Sequence, residues 1–400
     1  MIKTANRIAN VEEYYFSRKL AEVRTIDTPE LKVINLGIGS PDLMPSANTI
    51  AELIRSSQDP ANHGYQNYKG IPALRKGIAL LYNDVYKVQL DAESGILPLM
   101  GSKEGIMHIA MAFVNEGEEI LIPDPGYPTY ASVGKLLGAK TRTYEMKESL
   151  DWGIDVAALK KQDLSKVKIM WINFPHMPTG RVASRSEMKE LVDLARENQF
   201  LIVNDNPYSR ILNDSPLSIL SIEGAEEVAL ELNSLSKSHN MAGWRIGWVA
   251  GKKEFIEAVL RVKSNMDSGM FLGLQQAAVE ALRSDQNWFD ELNSVYRARS
   301  IAAKQILDEL ECTYSEKQSG LFVWAKSPKH VADVEKWIDE ILYGTKVFIT
   351  PGFIFGEAGR RHIRISLCAT VEKMEEALTR IRQWKKVETK QTSTNASTIV

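Results

Sequence analysis

Five short and almost uninterrupted apolar runs constrain the fold of this 400-residue chain more than any other feature. They are Glu119–Ile122, Lys168–Phe174, Phe200–Val203, Val228–Leu232 and Ile246–Ala250. Amphipathic stretches separate them; residues 186–198, for example, place Met188, Leu191 and Ala195 on one helical face. Strands buried on both faces read as continuous apolar runs, and their alternation with helices is typical of a mostly parallel sheet. The sequence therefore predicts an α/β fold.

The pattern changes after about residue 285. A long helical stretch reaches residue 310, three strand-like pieces follow at 320–325, 346–350 and 362–367, and a last helix begins after Thr370. Helices and strands without strict alternation predict a smaller α+β domain. We expect four parts: an N-terminal segment of the small domain at 1–45, a large cofactor-binding domain at 46–285, a small C-terminal domain at 286–385, and a disordered tail at 386–400.

Composition excludes several classes of protein. With 49 basic and 51 acidic residues the net charge is −2, which argues against a nucleic-acid-binding protein. Two cysteines, Cys312 and Cys368, are too few for a disulfide framework or a cysteine-rich zinc module. The first ten residues do not resemble a signal peptide, and no apolar run approaches the ~20 residues of a membrane helix. These features predict a soluble, cytoplasmic enzyme without a metal site.

The strongest chemical signal is the polar segment 233–247, which follows a buried strand and contains Lys237. A lysine amine in such a place can form a Schiff base with a carbonyl cofactor. Ser234 and Ser236 add hydroxyl groups and Arg245 adds a guanidinium, which together suit a phosphate dianion. A solvated loop with a surface lysine is the alternative for Lys237 taken alone.

This segment resembles the lysine motif of the fold-type I, pyridoxal-phosphate-dependent aminotransferases of class I/II. The resemblance extends over about residues 33–367. It implies a large domain whose mostly parallel seven-stranded sheet lies between helices, a smaller α+β domain, and pyridoxal 5′-phosphate as the cofactor.

Two further segments match the family's cofactor contacts. Gly101, Ser102 and Lys103 open a helical stretch, where backbone N–H groups and the helix dipole favour an anion. The resemblance implies that they hold the cofactor phosphate, although a simple helix cap would look the same. Tyr127 lies in a proline-rich loop after a strand, and the family places such a tyrosine against the pyridine ring. A turn tyrosine covering the edge of the core is the alternative.

Asp205 and Tyr208 follow the strand-like run 200–203. A ligand crevice forms at the carboxyl ends of parallel strands. By resemblance, Asp205 pairs with the protonated pyridine nitrogen and Tyr208 donates to the 3′-oxygen. A carboxylate beside that nitrogen raises its pKa, and a cationic ring is the better electron sink. The resemblance thus makes Lys237, Asp205 and Tyr208 the catalytic residues; the structural alternative for Asp205 is a turn.

The resemblance assigns three more residues. Arg364 alternates with the isoleucines of the strand-like run 362–367 and would clamp the substrate carboxylate, with help from Gly39. An exposed arginine on an edge strand is the alternative. Tyr65, with Tyr68 as the second candidate, matches the tyrosine that reaches the neighbouring subunit's phosphate in relatives, which implies a homodimer with shared active sites.

One position departs from the family pattern. The segment 173–180 reads Asn-Phe-Pro-His-Met-Pro-Thr-Gly, so Met177 replaces the asparagine that normally donates to the cofactor's 3′-oxygen. Methionine cannot donate a hydrogen bond. Either Asn173 or His176 substitutes, or Tyr208 holds the oxygen alone. Losing this donor predicts a higher pKa for the Schiff base at Lys237.

The sequence thus predicts an aminotransferase that moves an amino group between an L-amino acid and a 2-oxo acid by a ping-pong mechanism. A carbon–sulfur lyase on the same fold is an alternative, and a regulator with a cofactor domain is a more remote one. The substrate stays open. Lys103 could bind a distal carboxylate, and candidates for an aromatic wall, for which core packing is the simpler role, are Tyr14, Tyr15, Trp152 and Phe353.

Overall fold

The computed structural model describes residues 2–9, 11 and 15–396, with the side chains of residues 9 and 388–396 outside that description. The α-helices are α1 Asn6–Ala9, α2 Tyr15–Ile26, α3 Ala47–Ser57, α4 Pro72–Leu81, α5 Ser102–Phe113, α6 Thr129–Leu136, α7 Val156–Leu159, α8 Arg185–Asn198, α9 Ala225–Val228, α10 Lys253–Lys263, α11 Leu272–Ala281, α12 Gln286–Glu309, α13 Val334–Thr345 and α14 Val371–Ala396.

The strands are β1 Ile34–Asn35, β2 Ile96–Leu99, β3 Glu119–Asp124, β4 Lys140–Lys147, β5 Gly153–Ile154, β6 Val167–Ile172, β7 Leu201–Asp205, β8 Ala229–Ser234, β9 Gly247–Gly251, β10 Thr313–Tyr314, β11 Phe322–Lys326, β12 Val347–Phe348, β13 Thr350–Pro351 and β14 His362–Ser366. Short 3₁₀ turns lie at Pro60–His63, Glu148–Leu150, Ile219–Ser221, Ala242–Trp244, Gly352–Phe355 and Glu357–Gly359, and a π-helical turn lies at Tyr82–Tyr86.

The main sheet has the strand order β2-β9-β8-β7-β6-β3-β4-β5. Strands β8, β7, β6, β3 and β4 run parallel, whereas β9 is antiparallel to both of its neighbours. All five apolar runs form strands of this sheet, as the sequence predicts. Because the parallel strands share a direction, their carboxyl ends lie at one edge, and the loops that follow them meet there.

The helices of this part are specified by local sequence. Helix α8 begins with a capping box, in which Ser184 accepts from the N–H of Glu187 and the Glu187 carboxylate accepts from the N–H of Ser184. A cap of this kind stabilises a helix by about 1 kcal/mol. The face of α8 that includes Met188, Leu191 and Val192 is buried in the main core.

A second sheet has the order β10-β11-β14-β13 and is antiparallel throughout. The N-terminal segment joins this part of the molecule, because β1 pairs in parallel with β12. Helix α2 packs there too, with Val23 against Leu342 and Phe348. These contacts support the predicted grouping of 1–45 with 286–385, and the domain boundaries themselves stay a prediction.

Three features differ from the sequence-based expectation. The main sheet contains the expected seven strands and an eighth, the two-residue β5. Strand β4 was not predicted, since its alternation of Thr, Arg, Tyr and Glu is half polar. Helix α14 continues to Ala396, where a disordered tail was expected from 386. Its Lys- and Glu-rich residues favour helix, and the last part of the predicted tail, 397–400, lies outside the described residues.

None of the helices in the described part of the chain combines the length and apolar character that crossing a bilayer requires.

Candidate functional site

A cavity of ≈ 530 Å³ opens at the carboxyl edge of the main sheet and faces the four-stranded sheet. Its walls come from segments that are far apart in the sequence. They are Phe16, Leu20, Ile38, Gly39, Ser102, Lys103, Tyr127, Pro128, Tyr130, Asn173, Met177, Asp205, Pro207, Tyr208, Ser234, Ser236, Lys237, Ala242, Arg245, Phe322, Phe355 and Arg364. Twelve of the fourteen residues predicted from sequence are in this set, and the exceptions are Gly101 and Tyr65.

Lys237 lies in the connection between β8 and β9, at the centre of the cavity. Its Nζ donates to the carbonyl oxygen of Gly39 at 2.5 Å. Burial lowers the pKa of this amine, and the nearby Arg364 and Arg245 lower it further. A lysine with a depressed pKa is more often neutral at physiological pH, which is the form that acts as a nucleophile or base.

Asp205 ends β7 and is buried under the cavity. Its Oδ2 accepts from the hydroxyl of Tyr130 at 3.0 Å, whereas Oδ1 has no partner in the described structure. Burial raises the pKa of Asp205 to about 6. A buried carboxylate oxygen without a partner is costly, so this atom marks a place where a ligand donates.

Cations and hydroxyls gather at the start of α5. Arg245 holds a left-handed backbone with φ of 57°, which costs about 1 kcal/mol for a non-glycine residue. Its guanidinium lies against Gly101, where a Cβ would come within 1.9 Å of Nη2, and the φ of 92° at Gly101 explains the glycine. Ser102, Ser234 and Ser236 line the same end of the cavity. The backbone N–H groups at the start of α5 complete an anion-binding corner.

Lys103 is the second cation of this corner. Burial lowers its pKa first, and the charge of Arg245 lowers it further. Two adjacent cations, one of which depresses the protonation of the other, are arranged for a ligand with more than one negative charge.

Arg364 lies on β14 and is the cation of the opposite wall. Its Nη2 donates to the carbonyl of Gly37 at 2.7 Å, and its Nε has no partner. The guanidinium lies 3.8 Å from the centre of the Phe322 ring. No carboxylate among the described residues pairs with it, and burial lowers its pKa to about 10. A buried guanidinium without a counter-ion is suited to an anionic ligand.

The segment around Met177 contacts both Arg364 and Asp205. The thioether Sδ of Met177 accepts from Nη1 of Arg364 at 3.2 Å. The Asn173 amide donates to the carbonyl of Asp205 and accepts from the N–H of Met177 at 2.8 Å. His176 is buried, bonds to Thr179 and does not line the cavity. Of the two possible substitutes for the missing donor, only Asn173 therefore reaches the cavity.

Two tyrosines line the cavity where the sequence places them. Tyr127 stands edge-on to Tyr130, with ring centres 5.6 Å apart, and Tyr130 stacks on Trp171. Tyr208 is buried, which raises the pKa of its hydroxyl. Tyr130 itself was missed by the sequence analysis, although it lies three residues after Tyr127 in the same proline-rich segment.

Tyr65 does not reach the cavity of its own chain and is 93% exposed. Its predicted role requires a second chain and stays a prediction.

The described candidates for an aromatic wall do not line the cavity, and packing, the simpler role given to them, is what the structure shows. Trp152 packs against Trp324 and His362, Tyr15 packs against Phe353, and neither pair lines the cavity; Tyr14 lies outside the described residues. The rings that do line it are Phe16, Phe322 and Phe355. Isolated phenylalanines have no polar signature, so their placement is visible only in three dimensions.

Comparison with known proteins is consistent with this geometry. Residues 31–381 match the family described as aminotransferase class I and II. The LL-diaminopimelate aminotransferase of Dehalococcoides mccartyi is 37% identical over 389 residues, which cover 96% of this chain and 99% of that protein. The LL-diaminopimelate aminotransferase of Oleidesulfovibrio alaskensis is 36% identical, covering 94% and 98%.

Solved structures agree with the family match. Substrate-bound BacF from Bacillus subtilis superposes with a TM-score of 0.90 at 32% identity, covering 96% of this chain and 98% of that one. An aminotransferase from Staphylococcus aureus superposes with a TM-score of 0.87 at 28% identity, covering 95% and 98%. The resemblance noted from sequence is thus confirmed: the chain belongs to the class I and II aminotransferases and is a pyridoxal-phosphate-dependent transaminase.

Proposed function

We propose that the chain transfers an amino group between an L-amino acid and a 2-oxo acid through a Schiff base at Lys237, in two half-reactions with ping-pong kinetics. The observation that carries this proposal is that two buried charged side chains of opposite sign each keep one atom without a hydrogen-bond partner. Asp205 Oδ1 and the Arg364 guanidinium lie in walls of one cavity, with Lys237 lining it as well.

The cavity residues fit pyridoxal 5′-phosphate. The unpartnered Asp205 Oδ1 suits a protonated ring nitrogen, and the corner of Arg245, Ser234 and the start of α5 suits the phosphate. When bound, this cofactor supplies a carbonyl carbon for the Schiff base and a ring that withdraws electrons from the substrate Cα. We assign the phosphate contacts to Gly101, Ser102, Lys103, Ser234, Ser236 and Arg245, and the ring contacts to Tyr127, Asn173, Asp205 and Tyr208.

Arg364 positions the substrate. Its two bonds to Gly37 and Met177 fix the guanidinium plane, and its free Nε remains available for the α-carboxylate. Gly39 lies on the path of this carboxylate; a Cβ there would come within 2.3 Å of the Phe322 ring, so a larger residue would not fit. Holding the carboxylate in one place fixes the Cα–H bond relative to Lys237.

Lys237 then moves the proton. Lys237 would hold the cofactor's carbonyl carbon, and its Nζ would act as the base and then the acid that moves the proton of the substrate Cα. Burial lowers the pKa of this amine, which increases the fraction in the basic form that proton abstraction would require. Asp205 stays ionised beside the ring nitrogen, because a cationic partner lowers the pKa that burial raises.

We further propose a cytoplasmic homodimer. Tyr65 is fully exposed on its own chain and matches a tyrosine that contacts the neighbouring phosphate in relatives. Both cysteines are unpaired, as in a reducing compartment.

A single-turnover experiment tests the proposed reaction. The cofactor-loaded enzyme is mixed with individual amino acids, and we expect its visible absorbance to change to that of the aminated cofactor while one equivalent of 2-oxo acid appears. Lys237→Ala should slow this step by about 10²- to 10⁴-fold, since general acid–base catalysis contributes that much. The exposed Lys253→Ala is the matched control. Release of pyruvate and ammonia without a second substrate would instead indicate the lyase.

A further inference from the structure

The side of the cavity away from the phosphate corner is apolar. Phe16, Leu20, Ile38, Phe322 and Phe355 line it. Phe322 and Phe355 are buried, at 6% and 5% exposure, so these rings form a fixed surface. A surface of this kind recognises a ligand by the apolar area that it removes from water.

Helix α2 holds two of these side chains in place. The buried Lys19 of this helix pairs with Asp339 of α13 at 2.6 Å and with Glu22 at 3.0 Å. Phe16 and Leu20 are four residues apart and therefore lie on one face of the helix. The ion pair to α13 thus anchors the helix that presents both side chains to the cavity.

The same rings surround the group that binds the substrate carboxylate. The Arg364 guanidinium lies 3.8 Å from the centre of the Phe322 ring, 4.6 Å from Phe355 and 5.7 Å from Phe16. A carboxylate bound at Arg364 therefore has aromatic neighbours, and these rings are near any side chain carried by the adjacent Cα.

Three of the charged side chains that line the cavity are already assigned to binding the cofactor. Lys103 and Arg245 belong to the phosphate corner, and Asp205 lies beneath the ring site. Asp205 is the single carboxylate among the described residues that line the cavity. A distal ammonium in the substrate would have no acidic partner among these residues of the chain, and an unpaired buried charge is costly.

We propose that this chain selects L-amino acids with uncharged, apolar side chains, of the size of methionine, leucine or phenylalanine. Diaminopimelate, which the relatives' names specify, carries an ammonium and a carboxylate at its far end, and the apolar wall matches neither. This inference rests on the proposed transamination and concerns the substrate of the same site.

The experiment compares second-order rate constants for single-turnover conversion of the cofactor-loaded wild-type dimer. L-Methionine, L-leucine and L-phenylalanine should react at least about tenfold faster than L-aspartate, L-lysine and LL-diaminopimelate, since one methylene alone is worth about ten- to 200-fold in an apolar pocket. Equal or faster conversion of LL-diaminopimelate would overturn the inference and leave the transaminase in place. Conversion of none of them would overturn the proposed function itself.

A matched pair of variants tests the wall directly. Leu20→Arg places a cation on the cavity face of α2, and Ala21→Arg places the same charge on the exposed neighbouring position. We expect the methionine-to-aspartate rate ratio to fall about tenfold or more in Leu20→Arg and to remain at the wild-type value in Ala21→Arg. Cofactor absorbance reports folding of both variants. An unchanged ratio in a folded Leu20→Arg variant would overturn the assignment of the wall. If that variant does not fold, the comparison of amino acids with the wild-type enzyme tests the inference instead.

Discussion

The two walls of the cavity hold opposite charges in different ways. The wall from the eight-stranded sheet carries Asp205, whose carboxylate has one hydrogen bond from Tyr130 and one unpartnered oxygen. The wall from the four-stranded sheet carries Arg364, which is bonded to a carbonyl and a thioether and surrounded by phenyl rings.

The difference shows which ligand compensates each buried charge. Asp205 has a raised pKa and Arg364 a lowered one, so the folded state without ligand disfavours both ionised forms. A cofactor ring nitrogen relieves the first charge, and a substrate carboxylate relieves the second. The first charge is thus compensated whenever the cofactor is bound, and the second only during turnover.

The largest expected effect is on the Asp205 wall. Its pKa of about 6 exceeds the ordinary 3.8, so the folded protein binds this proton more tightly than the unfolded chain does. Ionisation therefore destabilises the cofactor-free protein above pH 6, by up to about 3 kcal/mol, and has no such effect below about pH 4. Asp205→Asn should raise the free energy of unfolding at pH 8, with the gain disappearing as the pH falls from 6 to 4.

Urea unfolding of cofactor-free protein at a fixed concentration measures this gain, with the exposed Asp214→Asn as the control. A gain that is the same at pH 8 and pH 4 would show that the effect is not electrostatic.

The Arg364 wall is tested by Arg364→Lys, which keeps the charge and loses the planar fork. A charge-assisted hydrogen bond is worth about 1.5–3 kcal/mol, so kcat/KM for an amino acid should fall by about 10- to 100-fold. The half-reaction of an amine without a carboxylate should not slow. Arg360→Lys, which is solvent-exposed, is the matched control. Equal losses for the amine and the amino acid would contradict a role in carboxylate binding.

The smallest expected effect concerns Met177, where the two walls meet. Met177→Asn restores a donor near the cofactor's 3′-oxygen, and we expect the pKa of the Schiff base at Lys237 to fall by a few tenths to roughly one unit. A spectrophotometric pH titration of the bound cofactor gives the midpoint, with the exposed Met266→Asn as control. If the midpoint does not move, Met177 does not explain the electronic state of this site.

Much of the first wall could be predicted from sequence. Asp205, Ser234 and Lys237 each end or directly follow an apolar run, and the carboxyl ends of parallel strands converge. The roles given to them came from the family resemblance and remain proposals. The second wall was predicted only in part. Arg364 lies in a strand that its alternating isoleucines predict, whereas Phe16, Phe322 and Phe355 look like ordinary core residues in the sequence.

The sequence by itself determined the five buried strands of the main sheet, helix α8 and the polar residues at the strand ends, since local periodicity and capping depend on neighbours along the chain. Only the tertiary structure decided that Phe16 and Phe355 face one cavity, that Asp205 keeps an unpartnered oxygen, and that Tyr65 does not line the cavity of its own chain. These outcomes depend on packing between segments that are distant in the sequence, and no local pattern encodes the space that remains between them.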